Sequence, residues 1–218
     1  MAEIMVNLQE LIGTEIKING KYVRVLSATE DENNIVPKTE KVEVKKDDDL
    51  VKIVKAFEGF FPNSYLCPAN VWTVGYGTTI YSNGNKVKSG EKITMENALL
   101  EMKYELDKCR KQLYEVVKVK LTKNQEDALV SFIYNCGIGN FKKSTLLKKL
   151  NAGDYESIPN ELMKWVNGGG KALKGLWRRR ASEALLFQGY DSFIIRADKI
   201  PVNWVSMKYY NNSYKNLV

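Results

Sequence analysis

The chain has 218 residues, 44% hydrophobic and 27% charged, which fits a globular protein of one domain, or one domain with a small appendage, able to fold without disulfide or metal staples. Lys and Arg number 33, Asp and Glu 26, for a net charge of +7, and histidine is absent. A Ser-His-Asp or Cys-His nucleophile and any histidine-ligated zinc are therefore excluded, three cysteines cannot make a four-cysteine zinc site, and proton transfer near neutrality falls to a carboxylate, thiol, lysine or tyrosine.

The N-terminus, Met1-Ala2-Glu3-Ile4-Met5, lacks the basic and apolar regions of a secretory signal. No stretch is long and apolar enough to predict a membrane span. Cys67, Cys109 and Cys136 are widely spaced and odd in number, as expected of reduced thiols in a protein made in the cytoplasm. Residues 1–46 carry a net charge of −1, residues 47–190 +6 and residues 191–218 +2. The three segments are read as a β-rich N-terminal extension of open role, a catalytic domain and an aromatic C-terminal tail.

In the extension, Glu15–Ile18 alternates, Asn19-Gly20 offers a hairpin turn and Tyr22–Leu26 returns. A polar loop through Asn33, Asn34 and Pro37 is predicted next, then a short strand at Val42–Val44. Asp47–Asp49 can open a helix carrying Leu50, Val51, Ile53, Val54 and Phe57, closed by Gly59 or Pro62. Val71–Thr79 reads as β, with a turn at Asn83-Gly84-Asn85 completing a small hairpin. From Thr94, Ala98, Leu99, Met102, Leu106, Leu113 and Val117 recur at mostly helical steps. Thr122-Lys123-Asn124-Gln125 is a capping box ahead of a helix that Gly137 ends. Ser144 caps another helix ending near Gly153, and Pro159 suits the first turn of a third, with Leu162, Met163 and Trp165. Gly168–Gly170 is a flexible break before a last helix, about Leu176 to Gln188. The tail carries Trp204, Tyr209, Tyr210 and Tyr214.

Between Leu50 and Gly90 the only acid is Glu58, set among Phe57, Phe60 and Phe61. Apolar surroundings favour a neutral carboxyl, and a carboxylic acid still protonated near neutrality can act as a general acid. The bland alternative is a helix-end glutamate turned to water. Cys67 follows nine positions later, and Thr73 opens Thr73-Val74-Gly75-Tyr76-Gly77-Thr78 six after that. This arrangement resembles the signature of the bacteriophage lysozymes (endolysins) of glycoside hydrolase family 24. The likeness continues through Leu121-Thr122-x-x-Gln125 to Tyr134-Asn135-x-Gly137, through Asn140-Phe141-x-x-Ser144-Thr145-Leu146-Leu147, and through Gly170-Lys171 to Arg179-Arg180-x-x-Glu183. It spans about residues 48–190.

The resemblance implies an α+β, lysozyme-like fold, with a mostly helical large lobe and a small β-hairpin lobe. It implies hydrolysis of the β-1,4 bond between N-acetylmuramic acid and N-acetylglucosamine in peptidoglycan, with no cofactor and no metal. Glu58 would be the general acid. Thr73 would help hold the attacking water on the opposite face of the sugar. Cys67 stands where many relatives carry Asp, and its role as base, nucleophile, water-orienting group or mere packing is left open, as is inversion against retention. Tyr134 and Asn135 fall where relatives line the saccharide cleft, and Arg178 where they place an arginine near the glutamate. Many relatives have a histidine at the position of Thr78, a substitution expected to affect stability more than chemistry.

The alternatives are a catalytically weak lysozyme-fold module that binds the wall or docks in a particle, and a nucleic-acid binder. The latter has only the basic balance behind it, so no nucleic-acid partner is expected. Bacterial peptidoglycan is the expected partner, and a virion or other phage protein would dock through 1–46 or 191–218. The enzyme would be made in the host cytoplasm and reach the wall through a membrane pore or by particle delivery.

Overall fold

A computed structural model describes the strands within residues 15–41, residues 48–67, 70–200 and 202–204. The chain forms two compact units, Met1–Asp48 and Asp49–Val218. In the first, β1 (Glu15–Ile18), β2 (Lys21–Asp31) and β3 (Asn34–Lys41) make an antiparallel sheet in the order β1-β2-β3. Ile18 pairs with Lys21 and Asp31 with Asn34. The ladder shifts register between Val25 and Ser27, a bulge. The loop expected through Asn34 and Pro37 is thus strand, because β2 is long enough to template it. Val42–Val44 lie outside the described residues.

The second unit begins with α1 (Asp49–Glu58), whose Leu50, Val51, Ile53 and Val54 are buried. Gly59 stops it with φ +70°, a conformation a side chain would strain. The chain then returns as β4 (Phe61–Leu66), paired antiparallel with β5 (Trp72–Gly75). β4 is absent from the sequence expectation. The hairpin expected beyond β5 is reduced to isolated bridges, Val74 with Thr78 and Ile80 with Lys86.

The helical lobe follows. Thr94 caps α2 (Met95–Val116), which buries Ala98, Met102, Leu106, Cys109 and Leu113 along one stripe. The Thr122–Gln125 capping box opens α3 (Lys123–Cys136), with both reciprocal bonds made. α3 is buried from Asp127 to Ile133 and packs on α1, α2 and α7, so it forms the axis of the core. α4 (Ile138–Lys142), α5 (Thr145–Asn151, capped by Ser144) and α6 (Ile158–Leu162, with Pro159 in its first turn) wrap one end. Gly168–Gly170 belongs to a minimal hairpin, β6 (Asn167–Gly168) with β7 (Lys171–Ala172). It leads into α7 (Lys174–Phe187), buried at every position from Arg179 to Phe187. Trp177, Phe132 and Phe141 are among the largest buried side chains. Phe193, Ile195 and Trp204 join the same core; Tyr209, Tyr210 and Tyr214 lie outside the described residues. Among those described, no helix is long and apolar enough to cross a membrane.

Candidate active site

Glu58 is the last residue of α1, so its carboxyl leaves the apolar face of the helix where the backbone turns back into β4. Its side chain is 22% exposed. One oxygen, Oε1, accepts a hydrogen bond from Nη1 of Arg179. The other, Oε2, faces the backbone at Gly77, where a Cβ would stand 3.7 Å from it and 3.8 Å from the Tyr134 hydroxyl. Gly77 has φ +97°, a conformation that favours glycine, and a Cβ there would meet both oxygens at no more than ordinary contact distance.

Arg179 is 3% exposed, and all three nitrogens of its guanidinium are engaged. Beyond Nη1 on Glu58, Nη2 donates to the Ser131 carbonyl at 3.3 Å and Nε to Glu183 Oε1 at 3.3 Å. Glu183 is fully buried. Its Oε1 also accepts from the Ser131 hydroxyl at 2.8 Å and from Arg180 Nη2 at 2.9 Å. Arg180 Nε lies 2.9 Å from Glu183 Oε2, off the hydrogen-bond axis. Its guanidinium stacks on Phe132 and reaches Asn135 Oδ1 at 3.1 Å and Cys136 Sγ at 2.9 Å. Glu183 is thereby the buried carboxylate that both arginines share behind the cleft.

The expected arginine is one residue out. Arg178 is half-buried, donates from Nε to the Ile195 carbonyl at 2.9 Å and places its guanidinium over the Phe57 ring. Adjacent helical residues point about 100° apart, and in α7 it is Arg179 that meets the Glu58 carboxyl while Arg178 covers Phe57. The sequence does carry a signal for this: Arg179 and Glu183 are four apart, the spacing that stacks charges on one face.

Cys67 closes β4, and the turn that follows is tied by bonds from Cys67 N to Val71 O at 3.0 Å and from Asn70 N to Cys67 O at 2.8 Å. Thr73 is buried on β5 opposite Tyr65. Its hydroxyl donates to the Val71 carbonyl at 3.0 Å, so what it has left to offer is acceptor capacity. Cross-strand partners share a face, so Tyr65 and Thr73 stand on one side of the hairpin, with Cys67 just beyond the end of β4. Burial raises the Tyr65 phenol above its usual range, and the charges of Glu58 and Cys67 add to that, which places Tyr65 in the electrostatic field of the site. Sequence reasoning passed over it.

Tyr134 donates its hydroxyl to the Tyr76 carbonyl at 2.7 Å. Burial, then the Glu58 charge, raises its phenol strongly, against an opposing pull from Arg179. It lines a cavity of about 240 Å³ together with Gly77, Thr78, Tyr104, Glu105 and Lys108. Asn135 is exposed and bonded to Arg180.

This arrangement has known counterparts. The phage lysozyme family model matches residues 55–183. The endolysin of Acyrthosiphon pisum secondary endosymbiont phage 1 is 40% identical over 140 residues, covering 62% of this chain and 92% of that protein. Among solved structures, the endolysin from Escherichia coli O157:H7 phage FAHEc1 superposes with a TM-score of 0.60 at 32% identity, over 68% of this chain and 96% of that one. The muramidase domain of SpmX from Asticaccaulis excentricus gives 0.57 at 32% identity, over 64% and 94%. The matched span takes in the Glu58 end of α1, the hairpin and the Arg179–Glu183 turn of α7, and the chain belongs to the phage lysozyme family, as a peptidoglycan hydrolase of the glycosidase type.

Proposed function

We propose that the protein is a muramidase that cleaves the β-1,4 bond from N-acetylmuramic acid to N-acetylglucosamine, with Glu58 as general acid. The observation that carries the reading is the division of labour at Glu58. One oxygen is held by Arg179, and the other is turned toward the glycine-lined edge of the cleft. A carboxyl fixed by one oxygen presents the second to a glycosidic oxygen at a defined angle. Thr73 and Cys67 hold the attacking water across the sugar from Glu58. The Thr73 hydroxyl, already donating to Val71, can only accept from that water, which leaves the water's lone pair free to attack the anomeric carbon as Glu58 protonates the departing glycosidic oxygen; the proton the water then sheds passes to Cys67 or to solvent. Tyr134 shapes the saccharide wall of the cleft, and Arg178 and Asn135 act through the helices rather than on the sugar. The enzyme reaches the wall from the host cytoplasm through a membrane pore or by particle delivery, with residues 1–46 or 191–218 available for a phage partner.

Release of reducing sugar from purified peptidoglycan is the test. Glu58→Gln, which keeps size and hydrogen bonding, is expected to lower the rate by at least about 10³-fold with unchanged thermal unfolding. Full activity in that variant would sink the mechanism and favour a weak or wall-binding module.

A further inference from the structure

Glu183 makes no approach to the cleft, yet it is the hub of the charges behind it. We propose that Glu183 is a positioning residue for catalysis: it fixes the Arg179 guanidinium and shares its charge, and through Arg179 it sets both where the Glu58 carboxyl points and how readily it gives up its proton. The inference rests on the reading of Glu58 as the general acid.

Three observations carry it. Arg179 has no slack, since each nitrogen has its own acceptor and only one of the three is Glu58. Remove Glu183, and the Nε bond that sets the plane of the guanidinium is lost. Next, Glu183 is fully buried and accepts from Ser131, Arg179 and Arg180 through the same oxygen. Its own placement is therefore fixed by α3 and α7, the two helices that form the floor of the site. Last, Glu183 is the anion paired with both buried arginines, Arg179 and Arg180. Without it, the Arg179 charge in contact with Glu58 would favour the ionised carboxylate more strongly.

Tyr65 on the hairpin and Tyr134 on α3 are further titratable groups in the field of Glu58. Tyr65 feels both Glu58 and Cys67, and Tyr134 feels Glu58, Arg179 and, from α2, Glu105. The two phenols stay neutral across the working range, because both are raised. Glu183 is thus the anion that competes with Glu58 for Arg179.

Two variants separate charge from geometry. In Glu183→Gln the shape is kept and the anion lost. The alkaline limb of the pH–rate profile should move down by about one pH unit, because the general acid loses its proton sooner. In Glu183→Asp the anion is kept but withdrawn by one methylene. The limb should stay, while kcat falls about tenfold with KM unchanged, because the guanidinium is no longer held at Nε. A purely structural role predicts lower thermal stability in both, with the wild-type limb and the wild-type kcat per folded molecule. Either of those two results overturns the proposal. If Glu183→Gln does not fold, the kcat of Glu183→Asp decides alone. A ¹³C carboxyl titration, with Glu58 identified by its loss in Glu58→Gln, reads the coupling without using activity. A Glu58 midpoint that moves in Glu183→Gln supports the link even if Glu58 is not the acid, and an unmoved midpoint refutes it.

Discussion

At the scale of single residues, the three thiols are chemically unequal. Burial pushes Cys109 up to about 12, with the Glu105 charge adding to it. Burial also raises Cys136, although Arg180 pulls the other way. Both stay protonated through the neutral range, and Cys67 is the thiol at the hairpin. If Cys67 holds the water, Cys67→Ala should cost about 10²-fold in kcat, and Cys67→Asp should recover most of it. The anomer of the first product, followed by NMR in the wild type and in Cys67→Asp, reports inversion or retention. Unchanged turnover in Cys67→Ala would reduce the thiol to packing.

Elements explain what single residues do not. α5 and α6 are joined by Glu161, almost wholly buried, which takes bonds from Lys149 and Lys164, each at 2.8 Å. Burial pushes its carboxyl up, but the two lysines outweigh burial and hold it below the usual carboxylate range. A depressed folded value gives stability that is complete above the unfolded carboxyl value of about 4.3 and is lost as pH falls through the folded one. Glu161→Gln should therefore cost about 1 kcal/mol at pH 7. The gap from wild type should close in acid, as chemical denaturation at pH 7 and below pH 4 would show; a gap independent of pH would assign the loss to packing. The element scale is also where the sequence is most and least readable. The Thr122–Gln125 box, the Thr94 and Ser144 caps and the α2 stripe are local signals, and each marks its helix in the structure. β4 is not local: Phe61-Pro62-Asn63 looks like a turn, and only β5 supplies the partner that makes it strand. The same limit governs the site. Glu58 stands out because no other acid competes with it over forty residues. The choice of Arg179 over Arg178 depends on the phase of α7 against α1, and Glu183 acquires its role only when α3 brings Ser131 beside it.

Over the whole molecule, the basic excess lies mainly in residues 47–190, which include the cleft, while residues 1–46 are close to neutral. Long-range attraction of this kind acts on encounter and is screened over about 10 Å at 0.1 M salt. Turnover of anionic, peptide-bearing wall polymer should fall severalfold between about 0.02 and about 0.5 M salt. Cleavage of an uncharged chitooligosaccharide under the same conditions should change less than about twofold. Equal loss on both substrates would show that salt acts on the fold or on the catalytic groups, not on capture.

The Arg179–Glu58 contact joins residues 121 positions apart, and this imposes an order in time. A nascent chain emerges N-terminal end first, so α1 and the hairpin leave the ribosome long before α7. Until residue 179 is out and docked, the acid exists without the partner that orients it. On the proposed mechanism, a chain stopped before α7 carries Glu58, Cys67 and Thr73 in its sequence but lacks the arginine that holds the Glu58 carboxyl. Wall-cutting activity should then appear only after synthesis passes residue 179.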